Sequence, residues 1–206
     1  MSLLGGLALP AGQLAMIANV SAQTASSHLS QLVAGGLLIV RPQGRHRYYR
    51  LANADVAHAI EALMLDGRDK RRIAQPSGVP ETLAYARTCY SHLAGRLAVD
   101  IAGVLEGRKF LVRREPNLYS VTRQGQRWFE DWGIAFGDSQ LKKSRFARPC
   151  LDWSERRHHI AGQLGSLILD RLRQLKWIAP VRDSRAVRVT LEGQRQLRKL
   201  FGMSVD

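Results

Sequence analysis

Between residues 10 and 36 the apolar positions recur at three- and four-residue intervals. Leu14 and Ile17 fall on one face of a segment running to about Ala18. Pro10 reads as its first helical residue, a position where a missing N–H costs nothing. After Asn19-Val20, Ser21 stands where an N-cap belongs, and Ala25, Leu29, Leu32 and Val33 form the apolar stripe of a second helix. Gly35-Gly36 ends it, because left-handed backbone strains glycine little. The pattern then changes. Residues 37–41 and 46–51 read as strands joined by a turn at 42–45.

Helix, tight turn, helix and β-hairpin is the order of a winged helix–turn–helix. A further helix from Asn53 to about Ile73 carries Val56, Ile60, Leu63 and Met64 on one side. It ends in the basic run Arg68, Lys70, Arg71 and Arg72, which the helix dipole favours at a C-terminus. Pro76, Ser77, Gly78 and Pro80 mark a linker over 76–82. The expected domains are therefore a DNA-binding unit over 1–75 and a C-terminal domain over 83–206.

That second part repeats itself. Arg87-x-Cys89 and His92-Leu93-Ala94-Gly95 recur as Arg148-x-Cys150 and His159-Ile160-Ala161-Gly162. Val121-Thr122-x-x-Gly125-Gln126-Arg127 recurs as Val189-Thr190-x-x-Gly193-Gln194-Arg195. Each copy, about 87–137 and 148–206, reads as helix, short strand or turn, strand and closing helix. Residues 151–157 are an extra segment in the second copy. The whole chain is expected to be mainly α with small β (α+β), its two winged-helix-like repeats packing about a pseudo-twofold axis as a sensing or dimerisation module.

Charge narrows the partner. The 206 residues carry 31 Lys and Arg against 17 Asp and Glu, a formal charge of +14, which favours a polyanion. Two cysteines make no disulfide scaffold, and neither a signal peptide nor an 18-residue apolar stretch is apparent. A cytoplasmic protein with reduced thiols and no membrane partner is expected.

Helix–turn–helix proteins place the early turns of the second helix against base edges in the major groove. Here those positions are Gln23, Thr24, Ser26, Ser27 and His28, small or polar side chains able to meet bases or phosphates. Around the hairpin tip, Arg41, Arg45 and Arg47 can reach the backbone or minor groove of double-stranded DNA. A solvated helix face and an edge strand blunted by charge would show the same residue types.

Val20-Ser21-Ala22-Gln23-Thr24-Ala25-Ser26-Ser27-His28-Leu29 with Leu32 and Gly36-Leu37-Leu38 resembles the core of the arsenical-resistance-repressor (ArsR) family, and Gly44-Arg45 with Tyr49 and Leu51 resembles its wing. The likeness covers about the first 70 residues, and the C-terminal repeats look like those of extended members. It implies a homodimeric repressor that binds an operator and is released by an effector, commonly a metal ion. Two features depart from the pattern. Only residues 1–9 are left for the family's usual first dimerisation helix. The founding members' cysteine-rich metal site falls on the helix before the recognition helix, where Leu9-Pro10-Ala11-Gly12-Gln13-Leu14 offers no thiolate. On the long helix, Asp55, His58 and Glu61 do not match the family's other metal site.

Cys89, His92, Cys150 and His159 remain. Three residues apart, Cys89 and His92 would share one face of a helix. Convergence of the four about the pseudo-twofold would suit tetrahedral zinc. The expectation is instead that the sulfurs are buried apart as small hydrophobes, the imidazoles bonded to backbone or carboxylate, with no stoichiometric metal and no cofactor. A metal ion or small-molecule effector stays open, as does a thiol sensor, and Trp128, Trp132, Trp153 and Trp177 are expected in core or interface packing. Asp152, Glu155 and His159 have no nucleophile or oxyanion site beside them, and no phosphate loop, nucleophile elbow or HExxH helix occurs, so an enzyme is not expected. The alternative to an effector-controlled regulator is a constitutive architectural DNA-binding protein.

Overall fold

The computed structural model describes residues 3, 8–44, 46–53, 55–57, 59–60, 80–89, 91–141, 143, 146–182 and 184–203. Arg45, His58, Glu61, most of the helix expected to end near Ile73 and most of the linker over 76–82 lie outside them. Contacts group the chain into two units, Met1–Pro80 with Arg182–Arg185, and Glu81–Val181 with Ala186–Asp206. It is a mixed α and β protein whose small sheets are all antiparallel.

In the first unit β1 (Leu9–Pro10) leads into α1 (Ala11–Ala18), and α2 (Ala22–Ala34) into the hairpin of β2 (Leu38–Gln43) and β3 (His46–Leu51). Pro10 is not yet helical. It takes extended dihedrals as the N-cap and pairs with Tyr48, so the helix starts one residue later than expected. Asn19 turns the chain in left-handed conformation, and the Ser21 hydroxyl caps α2 by accepting from the Thr24 N–H at 3.1 Å. Ala25 and Leu29 face inward, and Leu29 packs with Leu38 and Tyr49. Leu32 and Ile17, expected in the same stripes, are 38% and 55% exposed. A unit this small buries only a narrow stripe of each helix, and both side chains end on an open apolar groove of about 500 Å³. The hairpin is longer than expected, with Gln43 opposite His46 and Gly44 in left-handed conformation at the tip. Pro42 lies inside β2 rather than in the turn. That strand is a sheet edge, where proline's absent donor is tolerated.

In the second unit, α3 (Glu81–Tyr85) precedes a hairpin of β4 (Arg87–Cys89) and β5 (His92–Ala94), helix α4 (Arg96–Gly107), a hairpin of β6 (Leu111–Glu115) and β7 (Leu118–Val121), and α5 (Arg123–Asp131). After α6 (Asp138–Leu141) the order hairpin, helix, hairpin, helix occurs again: β8 (Arg148–Leu151), β9 (His158–Ala161), α7 (Gly162–Gln174), β10 (Ile178–Pro180), β11 (Val187–Val189) and α8 (Leu191–Phe201). Packing is reciprocal, for α4 lies on β9 and α7 on β5. A void of about 10 Å³ is lined by Leu93, Ala98, Ile101, Ile160, Gly165 and Ile168, three pairs at the 67-residue offset that also separates His92 from His159.

The leading hairpin of each half was not expected, and it moves Cys89 and His92 from a helix onto two strands. His92, Leu93 and Ala94 are all buried, whereas a surface helix would bury one face. Gly95 then begins α4 at a φ of 88°, where a Cβ would lie 2.7 Å from the Ala84 oxygen.

The closing helices repeat one local device. The Thr122 hydroxyl accepts from the Gly125 N–H and donates to the Lys109 carbonyl; Thr190 does the same with Gly193 and Lys176. Each helix start is thereby tied to the end of the preceding helix. A Cβ at Gly125 would fall 2.2 Å from the Phe110 oxygen, and one at Gly193 2.1 Å from the Trp177 oxygen. The tryptophans lie in packing, as expected. Trp128 stacks on Phe110 at 5.2 Å, and Trp132 touches Trp177 and Phe201.

Helix propensity alone would favour alanine over glycine by about 1 kcal/mol. The close approach to backbone outweighs it, so Gly125→Ala or Gly193→Ala should lower the unfolding free energy by about 1–3 kcal/mol. Urea melts followed by tryptophan fluorescence check this; an unchanged midpoint would contradict the contact.

Candidate functional site

Two groups of residues carry chemistry, one in each unit. In the first, the cap on Ser21 and the burial of Ala25 and Leu29 fix which side of α2 looks outward. Gln23, Thr24, Ser26, Ser27 and His28 are all exposed on it. They are not equivalent, since the Thr24 hydroxyl lies 2.8 Å from that of Ser21 and is engaged in the cap. On the hairpin Arg41 and Arg47 are exposed. The register sets them on opposite faces, Arg41 across from Tyr48 and Arg47 across from Pro42. The tip thus carries cationic side chains to both sides of the ribbon.

In the second unit the structure corrects the expectation that the two sulfurs lie apart. One ligand atom from each of Cys89, His92, Cys150 and His159 lies within 4.8 Å of all the others. Strand pairing is the reason. Cys89 is the register partner of His92, and Cys150 of His159. Directly opposed residues of an antiparallel pair point to the same face, so each hairpin presents one Cys and one His together. Sequence separation does not matter to such a pair. The Nε2 atoms of His92 and His159 are 3.1 Å apart where the hairpins meet. Cys89, His92 and His159 are buried, and Cys150 is half-buried.

Behind His159 stands a buried ion pair. Asp152 is fully buried and accepts from one Arg87 guanidinium nitrogen at 2.9 and 3.0 Å. It also accepts from the Gly95 N–H at 2.7 Å, the Ser154 N–H at 2.9 Å and the Ser154 hydroxyl at 2.7 Å. His159 Nδ1 lies 3.2 Å from Asp152 Oδ2, within ion-pair distance of the carboxylate. Arg87 spans the halves, with its guanidinium 4.4 Å above the Trp153 ring.

These contacts set the protonation states. Burial alone would raise the Asp152 carboxyl, but His159, the Arg87 guanidinium and Ser154 hold it well below the usual carboxylate range. Burial likewise pushes the His159 imidazole down, and Asp152 and Cys89 more than offset it. The Cys89 thiol is pushed up to about 12, by its contact with the Cys150 thiol first and by burial second, against the lowering effect of both imidazoles.

The roles of Arg87 and Asp152 were not legible in advance. Arg87-x-Cys89 recurring as Arg148-x-Cys150 marked the positions, but the two arginines differ. Arg87 is buried while Arg148 is exposed, because the extra segment over 151–157 folds Asp152 onto the Arg87 side alone.

Over all 206 residues the chain is 41% identical to a Bacillus subtilis (strain 168) protein described as an uncharacterised HTH-type transcriptional regulator, YdfF, and it covers 91% of that protein. No family model and no solved structure matches the chain.

Removing one member of a buried ion pair leaves the other uncompensated, at a cost of about 3–5 kcal/mol. Asp152→Ala should therefore destabilise the protein by that order, measured by chemical denaturation. A loss under about 1 kcal/mol would mean that Arg87 finds another partner or water.

Proposed function

Starting from the chain's membership of the family of HTH-type transcriptional regulators, we propose that it is a winged helix–turn–helix repressor of ArsR type that binds its operator as a homodimer and is released by an effector. One observation carries this reading. The capped helix α2 holds a continuous polar surface outward, and the hairpin after it bears exposed arginines. Such a helix fits the major groove, while the arginines suit flanking phosphates or the minor groove. The +14 charge supplies the long-range attraction. Dimerisation is supported by exposed apolar side chains on the same unit, among them Met16 at 77% and Ile17 at 55%.

On this reading the protein is not an enzyme, and its work is done in the cytoplasm. No described helix is long and apolar enough to cross a membrane. The second unit would act as the sensing or dimerisation module built from two related halves. A constitutive architectural protein would use the same surfaces without an effector and with little preference among sequences.

The two surfaces have different signatures. Gln23→Ala and Ser27→Ala should each weaken operator binding by roughly 1–3 kcal/mol, with much smaller losses on random duplex. Arg41→Ala and Arg47→Ala should weaken both alike and reduce the salt dependence by about one unit each. Fluorescence anisotropy over a salt series separates these outcomes. Equal losses on operator and random DNA from the helix variants would remove base reading by α2, and unchanged salt slopes would remove the hairpin.

A further inference from the structure

We propose that Cys89, His92, Cys150 and His159 form a tetrahedral site for a zinc-type divalent ion, which clamps the two halves of the second unit together. The donor set is two sulfurs and two imidazole nitrogens, the soft-to-borderline mixture that tetrahedral zinc takes. Each hairpin contributes one of each, so neither half can complete the site alone.

The distances suit the ion. Zinc bonds of about 2.0–2.1 Å to nitrogen and about 2.3 Å to sulfur require tetrahedron edges of roughly 3.3–3.8 Å. The two Nε2 atoms are already 3.1 Å apart, and no pair among the four ligand atoms exceeds 4.8 Å. Closure takes a movement of about 1 Å at most along any edge.

Orientation is set in advance. Metal-bound histidines generally direct their second ring nitrogen at a carboxylate or carbonyl, which fixes the tautomer. His159 Nδ1 faces Asp152, leaving Nε2 turned into the cluster, and Asp152 is itself immobilised by Arg87, Gly95 and Ser154. This arrangement explains why a carboxylate should be buried here. Charge also balances: two thiolates neutralise a divalent ion, and Arg87 neutralises Asp152, so the filled site places no net charge in the interior. With four protein ligands, and three of the four residues buried, no open coordination position remains, which marks a structural ion rather than a catalytic one.

The test uses the full-length protein purified under reducing conditions without chelator. Elemental analysis should find about one zinc per chain. After removal of the ion, titration with Co²⁺ should give the strong visible bands of a tetrahedral ion and thiolate-to-cobalt charge transfer, and Zn²⁺ should displace it. Cys150→Ser and His92→Gln should each weaken Zn²⁺ binding at least tenfold, an order seen even for residues that only support a ligand. Cys150 is half-buried and the serine is nearly isosteric, so that variant should keep its fold, as far-ultraviolet circular dichroism would verify. Chelation should lower the melting temperature of the parent protein and leave the Cys150→Ser variant unmoved. Folded, reduced protein that takes up neither ion would overturn the proposal. So would variants that bind as the parent does, or a Cys89–Cys150 disulfide whose reduction restores no metal binding. None of these readouts depends on DNA, so they stand or fall separately from the regulatory reading.

Discussion

The second unit depends on one buried ion pair. Arg87 comes from the first leading hairpin and Asp152 from the loop of the second, and each also bonds a group of the opposite half. Asp152 accepts from the Gly95 N–H where α4 begins, while Arg87 donates to the Leu83 carbonyl and the Ser154 hydroxyl. An ion pair out of water is costly unless its polar atoms are occupied; here both Asp152 oxygens are, while Arg87 Nε is buried without a hydrogen-bond partner among the described residues. The consequence is specificity of register. A slip of one residue in either hairpin would bury an unpaired charge and turn the Cys–His pairs to the opposite face.

Around that pair the two halves meet through equivalent positions. His92 faces His159, Leu93 and Ile160 line one void with Ala98 and Gly165, and the closing helices share a threonine cap and a glycine pressed against backbone. Gly165 shows how tight the junction is, since a Cβ there would lie 2.3 Å from the Ile160 oxygen and 3.0 Å from the His92 Cβ. Small residues at this junction let the hairpin of one half lie on the helix of the other.

Some of this was legible in the sequence and some was not, for identifiable reasons. Ser21 before an apolar stripe, and Gly36 after it, are local signals, and the chain obeys them. Leu32 and Ile17 were misread because periodicity reports which face is apolar, not how much of it a small unit can cover. Cys89 and His92 were misread because a spacing of three suits one helical face as well as a tight hairpin, and only register distinguishes them. Cys150 and His159, with the 151–157 insertion between them, gave no local signal of pairing. The 151–157 insertion marked the segment that carries Asp152, but its partner Arg87 is a long-range contact that no pattern of the kind can reveal.

The regulatory account rests on α2 and its hairpin reading a defined DNA sequence. The most direct measurement is selection of bound duplexes from a random pool by the full-length protein at physiological salt. The account predicts an enriched site with two inverted half-sites about one helical turn apart, matching a twofold dimer. Recovery of duplexes with no common sequence would contradict it, leaving binding driven by charge alone.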